Sequence, residues 1–379
     1  MVTIQEAIAK ITNTMKKLRT PLGTRFVDRE LEVEKIIDEH ERAVLGGMVN
    51  VLYGPKGCGK TTLFRALHFA TEVEDVDIDI LYIAKEYEEA PQYARLYIPK
   101  TLGEILREVA SAISGSVEIG YGGSGTISAS ITLFRAVKVA IELIAKRLRK
   151  RRRVFIVVDE VKADSEESLS NFRSWLEEFA NDVGYINLDY KDRTGGSIVV
   201  VALVSDALIA EIRHVIGPKA TWSFIWNLPR KAIEELVEEL HLNISTDTLW
   251  RLTGGNPRAL QAIATQGLEK WFKEEILENI RNLYRDALEM FGNKEAVWRE
   301  LEITTHNIDE ARMSLLRSML RRNIAIYIGA ATPLSELPTS VPWIKEDFAY
   351  QLPAYYHTLR TMVNKKSIDV TLDNVLSIL

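Results

Sequence analysis

Short apolar runs alternate with stretches of helical periodicity along the first two thirds of the chain. The runs lie at residues 48–53, 78–84, 154–158 and 197–204, and residues 224–226 predict a further short strand. Consecutive apolar residues, as in the third run, are typical of a strand that is buried on both faces of a parallel sheet. Strands that alternate with helices predict an α/β protein, in which helices cover both faces of a parallel sheet.

Two helices are predicted before the first strand. Residues 2–18 repeat apolar side chains at every third or fourth position, and Pro21 follows, so we assign residues 1–20 to an N-terminal amphipathic helix. Asp28 is a suitable N-cap for the second helix, which is predicted to end at the glycine pair 46–47.

The chain between the second and third strands follows a different pattern. Residues 85–100 are polar and contain two prolines, which predicts a loop or insertion. Thr101 and Glu104 form a capping box for a helix that continues to about residue 113. Apolar and polar residues then alternate around a glycine-rich turn, which predicts a β-hairpin insertion at about 115–131. No lysine follows these glycines, so a hairpin is favoured over a second phosphate loop.

A glycine-rich loop joins the first strand to the next predicted helix. It fits the pattern G-x-x-x-x-G-K-[ST] at every fixed position, in the strand–loop–helix context that a phosphate site requires. The N–H groups of such a loop and the positive end of the following helix attract phosphate oxygens. Lys60 supplies a charge for the β- and γ-phosphates, and Thr61 supplies a hydroxyl for Mg²⁺. The predicted nucleotide-binding residues of this loop are Gly54, Pro55, Lys56, Gly57, Cys58, Gly59, Lys60, Thr61 and Thr62.

Two carboxylates follow the apolar run at residues 154–158. They fall at the carboxyl edge of the predicted sheet, where α/β proteins bind ligands. Asp159 is placed to hold Mg²⁺ or its water, and Glu160 is placed to orient and deprotonate an attacking water. A strand that merely ends in two solvated acidic residues is the alternative, and the upstream phosphate loop makes that interpretation the weaker one.

Ser205 and Phe26 are further candidates for the same site. Ser205 follows a buried strand and is placed to contact the γ-phosphate or the water, although a helix N-cap at Ser205 or Asp206 explains the polar residue equally well. Phe26 or Val27 precedes the first strand and is a candidate contact for the adenine base, with ordinary core packing as the alternative.

The segment 253–258 predicts a junction between two helices. Its glycine pair ends one helix, and Asn256 caps the next, with Pro257 in the first turn. Arg258 then lies at the positive end of a helix dipole, where an arginine indicates a nearby anion unless the side chain points away. Pro257 and Arg258 therefore join the predicted nucleotide contacts.

The remaining chain is mostly helical. Beyond residues 1–20, we predict a P-loop ATPase domain at 21–228, a helical lid domain at 229–292 and a winged-helix-like domain at 293–379. The last of these rests on helices followed by strand-like residues 324–328, a proline-rich loop and a final helix. Winged-helix domains often place a helix in the DNA major groove. The elements predicted after residue 270 are helices at 271–291, 295–302, 308–322 and about 355–363.

Composition limits the classes of function. The 379 residues suffice for two or three domains, and the net charge of −5 argues against a wholly basic nucleic-acid binder. The basic run at 146–153 is better explained as a solvated helix end than as a patch for nucleic acid or an acidic partner. The lone cysteine, Cys58, and the lack of an 18-residue apolar run predict a cytoplasmic protein without a membrane span.

Several of these segments together resemble a known family. The order is a Phe-Val-Asp-Arg-Glu box from residue 26, the phosphate loop, a hairpin insertion, VFIVVDE, Ser205 after a strand, and GGNPRAL from residue 254. This order is similar to that of the archaeal ATPases of the STAND branch, relatives of the AAA+ and origin-recognition ATPases. The resemblance covers residues 20–270 well and the C-terminal part loosely. GGNP is the segment that indicates this branch.

The resemblance implies an ATPase that binds ATP with Mg²⁺ and changes conformation with its nucleotide state. It implies Mg²⁺ at Thr61 and Asp159, a catalytic Glu160, a γ-phosphate contact near Ser205, and a contact from the lid. Relatives often carry a Gly-Arg pair before the lid, whereas residues 220–226 contain none. That departure leaves Arg213 and Arg230 as guesses for an arginine that acts on nucleotide.

The sequence leaves three alternative functions. The first is a Mg²⁺-dependent ATPase that acts on DNA or a protein partner, as a monomer or a homo-oligomer. The second is a slowly hydrolysing, nucleotide-gated DNA-binding or signalling scaffold, which the missing Gly-Arg pair favours. The third is a small-molecule P-loop kinase, against which the adjacent Asp159 and Glu160 argue, because a glutamate there suits activation of water.

Overall fold

The computed structural model describes residues 3–379 except for 22, 44–48, 86–93, 106–117, 121–124, 130–132, 162–165, 206, 208–219 and 330. Several predictions fall outside the described residues. These are the glycine pair 46–47, the helix beyond residue 105, the turn of the hairpin, the cap at Asp206, and Arg213.

The strands largely follow the apolar runs of the sequence. They are β1 (Val49–Tyr53), β2 (Ile78–Lys85), β3 (Ala94–Ile98), β4 (Glu118–Gly120), β5 (Gly125–Ala129), β6 (Arg153–Val161), β7 (Ser197–Val204), β8 (Ala220–Phe224), β9 (Ala325–Tyr327), β10 (Thr332–Pro333) and β11 (Phe348–Tyr350).

Helices occupy most of the remaining described chain. The first five are α1 (Ile4–Met15), α2 (Glu30–Ala43), α3 (Lys60–Val73), α4 (Leu133–Arg147) and α5 (Glu166–Thr194). The next five are α6 (Arg230–Glu239), α7 (Thr246–Thr253), α8 (Pro257–Gln266), α9 (Leu268–Trp271) and, after a π-helical stretch at Phe272–Leu277, α10 (Glu278–Phe291). The last four are α11 (Lys294–His306), α12 (Met313–Arg321), α13 (Pro353–Lys365) and α14 (Leu372–Leu376).

Within the described chain, nine strands form one sheet in the order β10-β8-β1-β7-β6-β2-β3-β5-β4. The strands from β10 to β2 run parallel, and β3, β5 and β4 continue the sheet in antiparallel fashion. Every residue of β1 and β7 is buried, as consecutive apolar residues require in a sheet that is covered on both faces. The α/β P-loop fold predicted from the sequence is therefore confirmed.

Two hydrophobic clusters cover the two faces of this sheet. Along β6, Val154, Ile156 and Val158 belong to one cluster, whereas Phe155 and Val157 belong to the other. The second cluster includes residues of α1, α2 and α3, and the first includes residues of α4 and α5. The first cluster also continues through α6, α7, α8 and the C-terminal helices. The domain boundaries at 228 and 292 stay predictions.

Three predictions about the ATPase region were wrong in detail. Residues 94–98 form a strand that pairs with β2 and β5, so the hairpin extends the main sheet where a loop was predicted. Asp28 is not the cap of α2, because it has a left-handed φ of 60° and the helix begins at Glu30. The sequence predicts a helix from residue 165 to about 181, and this helix, α5, instead continues to Thr194, because no glycine pair or proline interrupts it before residue 195.

The basic run at 146–153 is partly structural. Arg152 donates two hydrogen bonds to the buried carboxylate of Asp79, at 2.6 and 2.7 Å, and Arg153 pairs with Asp77 at 3.6 Å. These contacts join the start of β6 to β2 and to the residue that precedes it. They account for two of the charges that composition alone left as solvated or as a patch.

The C-terminal region contains helices and a two-stranded antiparallel sheet of β9 and β11. These elements agree with the order predicted for a winged-helix-like domain, and the assignment to that class stays a prediction. The proline-rich loop also takes part in the main sheet. It supplies β10, which pairs with β8, and the N–H of Leu334 donates to the carbonyl of Phe224 at 2.8 Å. The short helix α14 was not predicted.

A buried histidine in α13 predicts that stability falls in acid. Among the described residues, neither ring nitrogen of His357 has a hydrogen-bond partner. Burial, together with the nearby charges of Arg360 and Arg251, lowers the pKa of His357 from 6.5 to about 4. The unfolded chain therefore binds a proton between these pH values that the folded chain does not. The contribution of neutral His357 to the free energy of unfolding is therefore fully present above pH 6.5. It is lost as the pH falls from 6.5 through 4, by up to about 3 kcal/mol.

Urea unfolding at pH 7 and pH 4.5 measures this effect. The difference between the two pH values should shrink in His357→Phe and persist in the control His306→Phe, which changes an exposed histidine at the end of α11. Equal pH dependence in His357→Phe and in the wild type would contradict the assignment.

Candidate active site

The glycine-rich loop lies between β1 and α3, and two of its glycines are required by close neighbours. A Cβ atom on Gly54 would lie 2.1 Å from the carbonyl oxygen of Ile225, which follows β8. Gly57 has a φ of 86°, and a Cβ atom there would lie 2.5 Å from Cβ of Arg258. Because any side chain would clash, these positions allow β8 and the start of α8 to approach the loop closely.

Lys60 is buried at the first position of α3 and folds back over the loop. Its Nζ donates to the carbonyl oxygens of Gly54 at 2.9 Å and Pro55 at 3.2 Å, and lies 3.7 Å from Sγ of Cys58. The ammonium group thus lies in the concave side of the loop, where the positive end of α3 also attracts anions. Cys58 is fully buried and packs in the core.

Asp159 reaches the end of the loop from β6, across the intervening β7. Its Oδ2 accepts one hydrogen bond from Oγ1 of Thr61 at 2.8 Å and a second one from the hydroxyl of Tyr82 on β2. Burial raises the pKa of the Tyr82 phenol, and the charge of Asp159 raises it further, so the hydroxyl remains a donor. A carboxylate beside a threonine hydroxyl is a donor set that suits Mg²⁺. Glu160 follows on β6, and its side chain lies outside the described residues.

A cleft of about 530 Å³ opens over this loop. It brings together most of the candidates proposed from the sequence, which line it as Phe26, Lys56, Gly57, Cys58, Gly59, Lys60, Thr61, Thr62, Ser205, Pro257 and Arg258. Gly54 and Pro55 complete the loop without lining the cleft. Phe26 is also part of a hydrophobic cluster, so it serves the core and the cleft wall together. Ser205 is half-buried at the tip of β7.

Asn256 connects the junction at 253–258 to the glycine-rich loop. Its Nδ2 donates to the carbonyl of Lys56 at 3.1 Å and to Oδ1 of Asn227 at 2.9 Å, while its Oδ1 caps α8 through the N–H of Ala259. The N–H of Arg258 also approaches the carbonyl of Gly57 at 3.4 Å. The junction at 253–258 therefore forms the predicted helix cap and also contacts the phosphate loop directly.

Gln351, just after β11, contacts the same side of the loop and was missed by sequence reasoning. Its Oε1 accepts from the N–H of Lys56 at 2.8 Å, and its Nε2 donates to the carbonyl of Ala325 at 3.1 Å and to Oδ1 of Asn323 at 3.3 Å. The side chain is buried. Gln351 is 295 positions from Lys56 along the chain, so no short sequence pattern around either residue indicates this contact.

Arg29 is a second missed residue. It is buried in a left-handed conformation, and it donates to the carbonyl of Cys58 at 2.6 Å and to Glu32 at 2.6 Å. Ser335 bonds both Arg29 and Glu32, at 3.3 and 2.7 Å. This network holds the phosphate loop from the N-terminal side and joins it to the segment after β10.

Replacing Gln351 with leucine should destabilise the fold. The change leaves the N–H of Lys56 and the carbonyl of Ala325 without the partner that they have here, and each buried unpaired group costs about 1–3 kcal/mol. We expect a loss of about 2–4 kcal/mol in the free energy of unfolding, measured by urea titration. Gln266→Leu, at a partly exposed position at the end of α8, is the matched control. A loss no larger than that of the control would show that the network contributes little.

The described helices do not combine the length and apolar character that a membrane span requires.

A search of the curated proteins finds no match. One similar solved structure is described as the replication initiator DnaA bound to AMPPCP and single-stranded DNA; its TM-score is 0.36 at 10% identity, covering 86% of this chain and 92% of that one. Another is AMPPCP-bound DnaA from Aquifex aeolicus, with a TM-score of 0.33 at 13% identity, covering 80% and 90%.

The family comparison gives the assignment. Residues 26–263 match the family described as an ATPase domain predominantly from Archaea. The match includes the phosphate loop, the strand β6 that carries Asp159 and Glu160, and the junction at 253–258. It spans well over half of the 379 residues. This chain therefore belongs to the family of ATPase domains found predominantly in Archaea.

Proposed function

We propose that this protein binds ATP and hydrolyses it in a Mg²⁺-dependent reaction, and that its nucleotide state moves the lid and the C-terminal region. The observation that carries the proposal is the 2.8 Å hydrogen bond between Oγ1 of Thr61 and Oδ2 of Asp159. It joins the end of the phosphate loop to the carboxylate strand, so that two oxygen ligands meet beside the place where phosphates would lie. Family membership supports the choice of ATP.

Each side chain at the site has a separate task in this proposal. Lys60 would exchange the carbonyls of Gly54 and Pro55 for phosphate oxygens, together with the loop N–H groups. Thr61 and Asp159 would hold Mg²⁺, which neutralises charge on the phosphates when it is bound. Glu160 would orient and deprotonate the attacking water, and Ser205 would contact the γ-phosphate or that water.

The contacts behind the loop support a conformational response. Asn256 and Gln351 bond the two backbone groups of Lys56, the carbonyl and the N–H. Asn256 belongs to the lid junction and Gln351 to the C-terminal region. A change in the backbone of Lys56 when nucleotide binds would therefore alter contacts of both regions at once. Pro257 and Arg258 lie on the cleft side of the same junction.

A second candidate is a nucleotide-gated scaffold that hydrolyses slowly and binds DNA or a protein partner, alone or as a homo-oligomer. The hydrogen bond from Lys56 of the loop to Gln351 of the C-terminal region favours this candidate. If nucleotide binding broke this contact, the C-terminal region would be released to bind a partner. In this candidate the exposed Arg321 of α12, which lies 3.8 Å from Glu166 of α5, would also contact such a partner.

Phosphate release from ATP by the purified protein tests the two candidates. The assay is run with Mg²⁺, with excess EDTA, and with added duplex DNA, beside ATP-binding measurements. Metal-dependent release that DNA stimulates supports an ATPase that acts on DNA, and release without any acceptor argues against a kinase. If the protein binds ATP but releases little phosphate, the scaffold is favoured. A gel shift at several salt concentrations then tests whether it binds DNA. Failure to bind ATP would contradict both candidates.

A further inference from the structure

The carboxylate of Asp159 is held from a second direction by Tyr82. The tyrosine hydroxyl donates to Oδ2, the oxygen that also accepts from Thr61. Tyr82 pairs in register with Val157 on the adjacent parallel strand, so the ring and Asp159 lie on the same face of the sheet, two residues apart along β6. Both side chains are buried, at 0% and 4% exposure. The contact is therefore fixed by the register of the sheet and is shielded from solvent.

Other groups fix the orientation of the Tyr82 ring. The guanidinium carbon of Arg65, on α3, lies 5.6 Å from the centroid of Tyr82 and 5.9 Å from that of Tyr97. The two tyrosine rings meet edge to face with centroids 5.6 Å apart. A cation within about 6 Å of an aromatic ring is attracted to it, and edge-to-face pairs are favourable. Arg65 and Tyr97 thus hold the ring in the position from which its hydroxyl reaches Asp159.

We propose that Tyr82 is a positioning residue for the metal site, which sets the orientation of the Asp159 carboxylate for a divalent cation. This inference rests on the proposed function, because it requires that Asp159 helps to bind the cation. Thr61 is itself a candidate metal ligand, but an oxygen that binds a cation through a lone pair keeps its hydrogen and can still donate to Asp159. Tyr82 is a second donor to the same carboxylate, from a buried ring. Removing its hydroxyl would leave the carboxylate less well ordered for the cation, at a cost in affinity.

The test compares two substitutions that each remove one hydroxyl from the same aromatic pair. Tyr82→Phe keeps the ring and its packing but loses the contact to Asp159. Tyr97→Phe is the matched control, since that ring contacts Tyr82 and Arg65. The measurement is Mn²⁺ binding to the full chain with saturating ADP, followed by electron paramagnetic resonance. Loss of a hydrogen-bond partner of a ligating carboxylate typically weakens metal binding about 10–100-fold.

We expect Tyr82→Phe to weaken Mn²⁺ binding about tenfold while Tyr97→Phe matches the wild type, with thermal melts to verify folding. Raising the Mg²⁺ concentration should restore phosphate release in Tyr82→Phe. Wild-type affinity in a folded Tyr82→Phe protein, or an equal loss in both variants, would overturn the positioning role and leave the proposed function intact. A wild-type protein that binds no Mn²⁺ with nucleotide would overturn the metal site and this inference together.

Discussion

A Glu160→Gln variant is expected to bind ATP as the wild type does and to lose phosphate release by roughly 10²–10⁴-fold, the usual contribution of a positioned general base. The amide keeps the size of the side chain, so the loop and Asp159 are not disturbed. It cannot accept the proton of the attacking water. Binding is measured with a fluorescent ATP analogue, and turnover by phosphate release at saturating ATP.

Glu167→Gln is the control for this experiment, because it makes the same change at an exposed position in the first turn of α5. It should leave both measurements unchanged. Turnover of Glu160→Gln at the wild-type rate would show that another group activates the water. Loss of ATP binding in the same variant would instead indicate a structural role for Glu160.

Lys60→Ala is expected to weaken ATP binding by about 3 kcal/mol, or roughly 10²-fold, because truncating a buried charged partner typically costs 2–5 kcal/mol. Lys60 is 4% exposed, and its ammonium group lies in the concavity of the loop. The measurement is isothermal titration with ATP and Mg²⁺, with thermal melts to check folding.

The matched control is Lys10→Ala, which removes an exposed lysine from α1. It changes the net charge by the same amount, so it separates the local contact from a general effect of charge. If the two variants bound ATP equally well, the concave side of the loop would not be the phosphate site.

The central strands and the loop between β1 and α3 were predictable because their signals are local. Successive side chains of a strand point to opposite faces of the sheet, so a run of consecutive apolar residues predicts a strand that is buried on both faces. The side chains of 154–158 accordingly alternate between the two hydrophobic clusters. The pattern from Gly54 to Thr61 combines backbone freedom, a cation and a hydroxyl within eight positions. Asn256 and Pro257 likewise begin α8 as their residue types predict.

Errors occurred where tertiary contacts outweighed local preference. Residues 85–100 as a whole are polar and contain two prolines, which suggests a loop, yet residues 94–98 become a strand because β2 and β5 offer backbone partners on both sides. Residues 332–333 contain a proline, and they pair as an edge strand, which is where proline is tolerated in a sheet. Asp28 has the chemistry of an N-cap, but the backbone turns into left-handed conformations at 28 and 29 to place Arg29 against Cys58.

By itself, the sequence determined the class of fold and the kinds of chemical groups at the site. Lys60, Thr61, Asp159 and Glu160 are identified by short patterns, because backbone geometry over a few residues is enough to place them. The tertiary structure alone decided which distant side chains surround them. Tyr82 reaches Asp159 through the register of two strands, and Gln351 reaches Lys56 through the packing of the C-terminal region on the loop. Such contacts depend on where whole elements come to lie, and no short stretch of sequence encodes that.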